Sequence, residues 1–201
     1  MSALATVFAS PHLSARVLRA DDVPALQALY DANPEYALVV NGRVPGPSDA
    51  QADFDERPPA HLGYSAQWML GLFDKADALC GVCTVTADLG AAGVWHLALL
   101  LIATRLHGQG VAVPIYAAME DWIGRQGARW LRLGVVQGNT RAERFWERLG
   151  YAEVRVRKNI DTGGRLNTLR VMVKPLPAAS TTDLAHYLSL VPRDQPGSAL
   201  P

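Results

Sequence analysis

His107-Gly108-Gln109-Gly110-Val111-Ala112 lies between an apolar run and a segment with helical periodicity. Such a loop presents successive backbone N–H groups, unobstructed where glycine removes Cβ, to an anion at the positive end of a helix dipole. A pyrophosphate is its natural guest. No Gly-Lys-Ser/Thr follows, so the string is not a P-loop, and it lacks the G-x-G-x-x-G order of a dinucleotide site. Taken alone, it also reads as an ordinary turn before a helix. Cys80 and Cys83 form a C-x-x-C string, which suggests redox or metal chemistry where it opens a helix or a knuckle. Here it falls in a strand-like stretch, where residues three apart face opposite sides of a sheet, and the sequence holds no second cysteine pair. Two reduced, buried thiols and no metal are expected.

The elements that must position the loop follow from periodicity. Ala15 to Ala20 reads as a strand, and Asp21-Asp22 as the cap of a helix running to about Ala32. Residues 33–63 contain five prolines and no clean period, with a helix expected only around Ser48 to Glu56. Strands follow at about Gln67 to Phe73, Leu79 to Ala87 and Val94 to Ile102, joined by short turns as a meander. The loop leads into a helix from about Gly110 to Gln126, with Val111, Ile115, Met119, Trp122 and Ile123 on one face. A strand, Trp130 to Val136, comes next. Thr140-Arg141-Ala142-Glu143 has capping-box form and opens a helix ended by Gly150. Strands Tyr151 to Lys158 and Leu166 to Val173 flank a turn at Asp161 to Gly164.

This order predicts an α/β (α+β) fold: a mixed, mostly antiparallel sheet of about seven strands with helices on both faces. The strand–helix–strand unit from Val94 to Val136 forces a parallel pair at its centre. Residues 1–14 read as an N-terminal arm, 15–176 as the domain, and 177–201 as a tail with one short helix, Thr182 to Leu190, and a frayed end.

The 201 residues are 49% hydrophobic and carry 19 basic and 19 acidic side chains, which excludes disorder over most of the chain and argues against nucleic acid as a partner. The neutrality is a cancellation. Residues 1–100 hold 5 Lys+Arg and 11 Asp+Glu, whereas residues 101–201 hold 14 and 8. The N-terminal stretch lacks the layout of a signal peptide. The longest apolar run, Val94 to Ala103, is about half of the roughly 20 residues that a membrane span needs. A cytoplasmic protein with no membrane partner is expected.

From Val94 to Tyr151 the chain resembles the GNAT superfamily of acyl-CoA-dependent N-acyltransferases. The glycine loop is similar to that family's R/Q-x-x-G-x-G/A signature, with Gly110 and Ala112 in the last two places. Asn139-Thr140-Arg141-Ala142 and Phe145-Trp146-Glu147-Arg148-Leu149-Gly150-Tyr151 resemble its second signature. The resemblance implies a splay between the strands Val94 to Ile102 and Trp130 to Val136. Coenzyme A would enter it, pairing its pantetheine with the backbone of Leu100, Leu101 and Ile102. The pyrophosphate would lie on His107, Gly108, Gln109, Gly110, Val111 and Ala112, with Asn139, Arg141 and Trp146 completing the cofactor site. An N–H near Leu101 would stabilise the oxyanion. His107 stands where the family signature has Arg or Gln, which implies weaker coenzyme A affinity.

The implied reaction is direct attack of an amine on the thioester of acetyl-CoA in a ternary complex, which needs a base and sometimes an acid. His96 occupies the place of the Glu that serves as base in several family members. Its reference pKa near 6.5 suits that task, while a structural histidine capped by a carbonyl is the other reading. Many family members use a Tyr as acid where this chain has Trp146, which leaves Tyr151 and Tyr116 as candidates. Six acids and one base between Asp31 and Glu56 form either an acidic wall favouring a cationic amine or a solvated loop. The acceptor is a small-molecule or peptide amine. A homodimer through the apolar C-terminal helix is a further expectation. The alternative function is a catalytically degenerate acyl-CoA-binding sensor or regulatory module.

Overall fold

Three apolar runs separated by aspartate-bearing turns over residues 66–102 build the central meander, and their residues are buried largely on both faces of the sheet. In the computed structural model, which describes residues 5–200, these residues form β3 (Ala66–Phe73), β4 (Leu79–Ala87) and β5 (Val94–Ile102). Both hairpin turns are closed by aspartates. Asp74 Oδ1 accepts from the N–H groups of Ala76 and Ala78. Asp88, at φ 55°, accepts from Gly93 N–H at 2.6 Å. Before the meander come β1 (Phe8–Ala9), β2 (Ser14–Val17), α1 (Val23–Asp31), α2 (Pro34–Val40) and α3 (Asp49–Asp55). After it come α4 (Ala112–Arg125), β6 (Trp130–Val136), α5 (Thr140–Arg148), β7 (Ala152–Asp161), β8 (Leu166–Pro175) and α6 (Leu184–Leu190).

The described strands form one eight-stranded sheet in the order β1-β2-β3-β4-β5-β6-β8-β7, in which β5 and β6 are the parallel pair. The eighth strand is β1, whose two residues are too few to show a period. One face is covered by α4 and α5 over Leu131, Leu133, Trp95 and Leu97. On the other face, Leu26, Leu29 and Tyr30 of α1 and Ala50 of α3 pack on Val82 and Leu101. These helices bury Leu26 and Ile115 almost completely, a gain of about 1.5–3 kcal/mol for each such side chain.

Several expectations change. The proline-rich stretch contains α2, because Pro34 sits at its start, where a helix needs no N–H from it. The strand expected over Ala15 to Ala20 stops at Val17, and a 3-10 turn occupies Ala20–Asp22. Asn139, not Thr140, caps α5: its Oδ1 accepts from Ala142 N–H at 3.3 Å, and Glu143 takes Gly138 N–H. The C-terminal segment is packed against the sheet as far as Asp194. Tyr187 and Asp194 are fully buried, and with Val191 the segment covers Val94, Trp130, Val171 and Val173. The Arg155 guanidinium pins it further by donating to the carbonyls of Arg193 and Ser198. The apolar face of α6 is therefore spent on its own sheet, which removes it as the expected dimer surface.

Candidate active site

The parallel pairing of β5 and β6 is short. It runs from Val94 opposite Trp130 to Leu97 opposite Leu133 and stops. A bulge at Ala98, between the pairs Thr84–Leu99 and Val85–Leu97, turns β5 away while it stays bonded to β4 as far as Ile102. On its far side, β6 stays paired with β8 through Val136. The two strands thus part in a V whose edges are residues 99–102 and 134–136. Gly134, at the opening, is exposed and leaves the floor clear.

Ala103 N–H donates to Cys80 carbonyl at 2.8 Å. Backbone direction alternates along a strand, so Leu101 and Leu99 also bond toward β4. The N–H and C=O groups of Leu100 and Ile102 point into the V. Leu100 and Ile102, and not Leu101, therefore turn their N–H groups toward the gap. Leu101 itself contributes a side chain packed with α1 and α3, and Leu100 is half-buried against the α4 and α5 side.

At the wide end of the V, a 3-10 turn at Thr104–Leu106 carries the chain into the glycine loop. Gly108 and Gly110 have φ of 77° and 74°, with nothing within 4 Å of the place a Cβ would take. Both glycines are therefore required by backbone conformation rather than by crowding. The N–H groups of Gly108, Gly110, Val111 and Ala112 have no partner among the described residues, and they gather at the start of α4. Val111 is buried and anchors the turn. His107 folds back so that Nε2 lies 2.8 Å from Ile102 carbonyl, and Gln109 bonds Arg105 carbonyl at 2.7 Å. Both side chains brace the loop internally, which explains why His in the Arg/Gln place is compatible with its shape.

These features fit an acyl-CoA. The chain supplies a strand edge with no β-partner, on which only the Ile102 carbonyl is engaged, by His107, and a cluster of free N–H groups, as an amide-bearing arm and a pyrophosphate require. Asn139 Oδ1 is engaged in capping, and Arg141 is exposed on α5 with no carboxylate partner among the described residues. Trp146 is buried among Phe145, Tyr116 and Tyr151, at 4.9, 5.7 and 5.4 Å between ring centroids. Trp146 thus belongs to an aromatic cluster of the core.

The two residues expected to move protons are each engaged by other groups of the chain. His96 Nδ1 lies 3.1 Å from the Arg132 carbonyl and 3.3 Å from Arg132 Nη1. Burial and the adjacent guanidinium lower its pKa to about 3. A ring that stays neutral down to such a pH accepts a proton too weakly to serve as a base. The Arg132 guanidinium is held by Asp194, which also accepts from the Tyr187 hydroxyl at 2.6 Å. Nothing in the local sequence around His96 announces Arg132 or Asp194 as neighbours.

The Tyr151 hydroxyl lies 3.1 Å from that of Tyr116, which bonds Glu120, which in turn receives Lys174 Nζ at 2.5 Å. Lys174 is opposite Leu131, at the closed end of the β5–β6 pair. Tyr151 is buried at that end, and burial raises its pKa. Its hydroxyl is engaged with that of Tyr116 inside the core. Cys80 and Cys83 are buried free thiols.

On the α1–α3 side, Asp53 accepts from the Tyr30 hydroxyl at 2.8 Å, and burial raises its pKa. Glu56 is raised by burial and by Asp53. Asp49 is neutralised by Arg43 at 2.7 Å. The acidic region is thus partly spent on internal pairs. The β7–β8 turn closes over the end of α2, where Thr162 and Asn167 donate to Val40 carbonyl.

A sheet splayed at its one parallel pair, with a glycine loop leading into the following helix, defines the architecture of acyl-CoA-dependent acyltransferases. The sequence model of the Acetyltransferase (GNAT) family matches residues 26–151, and the chain belongs to that family. Solved structures agree in fold. An acetyltransferase from Thermus thermophilus superposes with a TM-score of 0.62 at 22% identity, covering 82% of this chain and 97% of that one. Spermidine N-acetyltransferase from Vibrio cholerae, in complex with CoA and spermine, gives 0.63 at 16% identity, with 81% and 95% covered. A Salmonella typhimurium acetyltransferase that modifies the N-terminal serine of a 50S ribosomal subunit protein gives 0.66 at 15%, with 83% and 96% covered. No curated protein matches the sequence significantly. Among the described residues, no helix is long and apolar enough to cross a membrane.

Proposed function

We propose that the protein is an N-acetyltransferase that moves an acetyl group from acetyl-CoA to a primary amine by direct attack in a ternary complex. The observation that carries the reading is the V between β5 and β6, where the N–H groups of Leu100 and Ile102 face a gap beside Gly134. When bound, acetyl-CoA supplies the activated acyl carbon. The N–H groups of residues 108 and 110–112 bind its pyrophosphate, and Arg141 adds charge at the nucleotide end. An N–H of Leu100 or Ile102 donates to the carbonyl oxygen that becomes negative during attack. With His96 neutral and Tyr151 in the core, no side chain of the V is assigned the amine's proton. The reactive species is then the small neutral fraction of the amine, and Asp53 and Glu56 draw its ammonium form to the α3 wall.

The test is release of coenzyme A thiol from acetyl-CoA with a panel of primary amines. Turnover that depends on the amine is the expected result. Tight coenzyme A binding with no release for any amine would sink the enzymatic reading and favour the second one, an acyl-CoA-binding regulatory module. That second reading draws on the same displaced His96 and Tyr151.

A further inference from the structure

The sheet face shared by α1, α3 and α6 carries a concentration of guanidinium groups close to the V. Arg132 projects from this face, since its partner Asp194 belongs to the C-terminal segment packed there. By alternation Gly134 and Val136 share the face. Gly134 is opposite Val171, which is opposite Arg155; Val136 is opposite Leu169, which is opposite Arg157. Residues paired across strands point the same way, so Arg155 and Arg157 project from the same face. Arg193, in the 3-10 turn beside Asp194, is half-buried, and its Nε is buried with no hydrogen-bond partner.

Four arginines therefore meet one carboxylate. Asp194 is consumed by Arg132, and Arg155 is consumed by the carbonyls of Arg193 and Ser198. Arg157 and Arg193 are left without an ion pair among the described residues. Each is half-buried, and burial, together with the positive neighbours Arg132 and Arg155 or Arg157, lowers the pKa of both. Half-buried cations that repel each other are costly unless an anion joins them. Arg157 lies two strand spacings from β6, about 10 Å, which a long side chain and a short ligand can bridge to the gap.

We propose that the acceptor is a small amine bearing an acidic group, a carboxylate or a phosphate, which Arg157 and Arg193 bind while the amine reaches the V. The inference rests on the N-acetyltransferase reading and narrows it from the cationic amine that the acidic stretch suggests to an amine that also carries an acid. The acid group neutralises the two unpaired guanidiniums.

The experiment compares glycine and phosphoethanolamine with ethanolamine and spermidine as acceptors, using wild type, Arg157→Gln, Arg157→Lys and Arg193→Gln. The expected result is a preference for the acidic acceptors. Either Gln variant should raise their KM by about tenfold to a hundredfold, the range of a lost charge-assisted hydrogen bond, while KM for acetyl-CoA stays constant. Arg157→Lys should recover part of the loss, which a merely structural role would not produce. The ratio of glycine to phosphoethanolamine tells carboxylate from phosphate. Equal or better use of ethanolamine or spermidine, unchanged in the variants, overturns the proposal. If no amine releases thiol, calorimetry of the same four compounds on the coenzyme A-loaded protein decides. Arginine-dependent binding of the acidic pair alone sustains the site without the transferase reading, and its absence overturns the site as well.

Discussion

The guanidinium of Arg132 grips the carboxylate of Asp194 through two hydrogen bonds, Nε to Oδ2 at 2.7 Å and Nη2 to Oδ1 at 2.9 Å, across 62 residues of chain. Arg132 is 7% exposed and Asp194 not at all, so the pair ties the 3-10 turn at Pro192–Asp194 to the strand that borders the V. Removing one member leaves the other charged and buried. Asp194→Ala should cost about 3–5 kcal/mol of unfolding free energy, read from urea titration. Arg132→Met combined with Asp194→Leu should recover most of it. If Asp194→Ala lowers stability by less than about 1 kcal/mol, the pair does not hold the tail.

Acid sensitivity should appear in two stages. His96 has a folded pKa of about 3, far below its ordinary value, because burial and the Arg132 guanidinium oppose its charge. The unfolded chain therefore binds a proton that the folded chain refuses, and stability falls as pH drops below about 6.5. Asp194 is pushed up by burial, but the hydrogen bonds from Arg132 outweigh this and hold it below the usual carboxylate range. Its contribution is present above about pH 3.9 and is lost as pH falls through the lower folded value. Substituting His96 with Gln should flatten the decline between about pH 6.5 and pH 4. It should also leave turnover within about threefold, with no inflection near 6.5. A pH–rate profile that loses such an inflection in the variant would restore His96 as the base.

Tyr151→Phe should behave as the loss of one buried hydrogen bond, about 1 kcal/mol. The alkaline side of the pH–rate profile should be the same in both proteins. An alkaline limb that vanishes with the hydroxyl would contradict the position of Tyr151 at the closed end of the β5–β6 pair.

Gly110→Ala tests the loop. At φ 74° a side chain costs about 1–2 kcal/mol of backbone strain even though the space is open. Relief of that strain would turn the N–H groups of residues 110–112 away from one another. KM for acetyl-CoA should rise about tenfold with KM for the amine unchanged. A variant with normal KM for acetyl-CoA would show that the pyrophosphate lies elsewhere.

The order of elements and the position of the glycine loop were readable because both are local. The apolar, turn-bounded run Leu79 to Ala87 and the helical spacing of Ile115, Met119 and Ile123 depend only on neighbours in the chain, and the structure has a strand and a helix there. What escaped was contextual. The helix α2 was hidden because Pro34 reads as a breaker until its place at the first helical position is known. The cap of α5 moved by one residue because Asn139 reached Ala142 N–H and Thr140 did not.

The sequence by itself determined the architecture and the glycine loop. The family signature, the strand–helix–strand unit and the glycines at positive φ are properties of short segments, and short segments carry their own preferences. The tertiary structure alone decided the chemistry of individual side chains. His96 looked like a base by its offset from the loop, but its pKa is set by burial and by Arg132, one strand away. Tyr151 looked available until the fold placed it against Tyr116. The tail looked loose until Tyr187 and Asp194 met Trp130 and Arg132. Burial and long-range charge arise only when distant parts of the chain pack together, and a linear pattern does not encode which residues those will be.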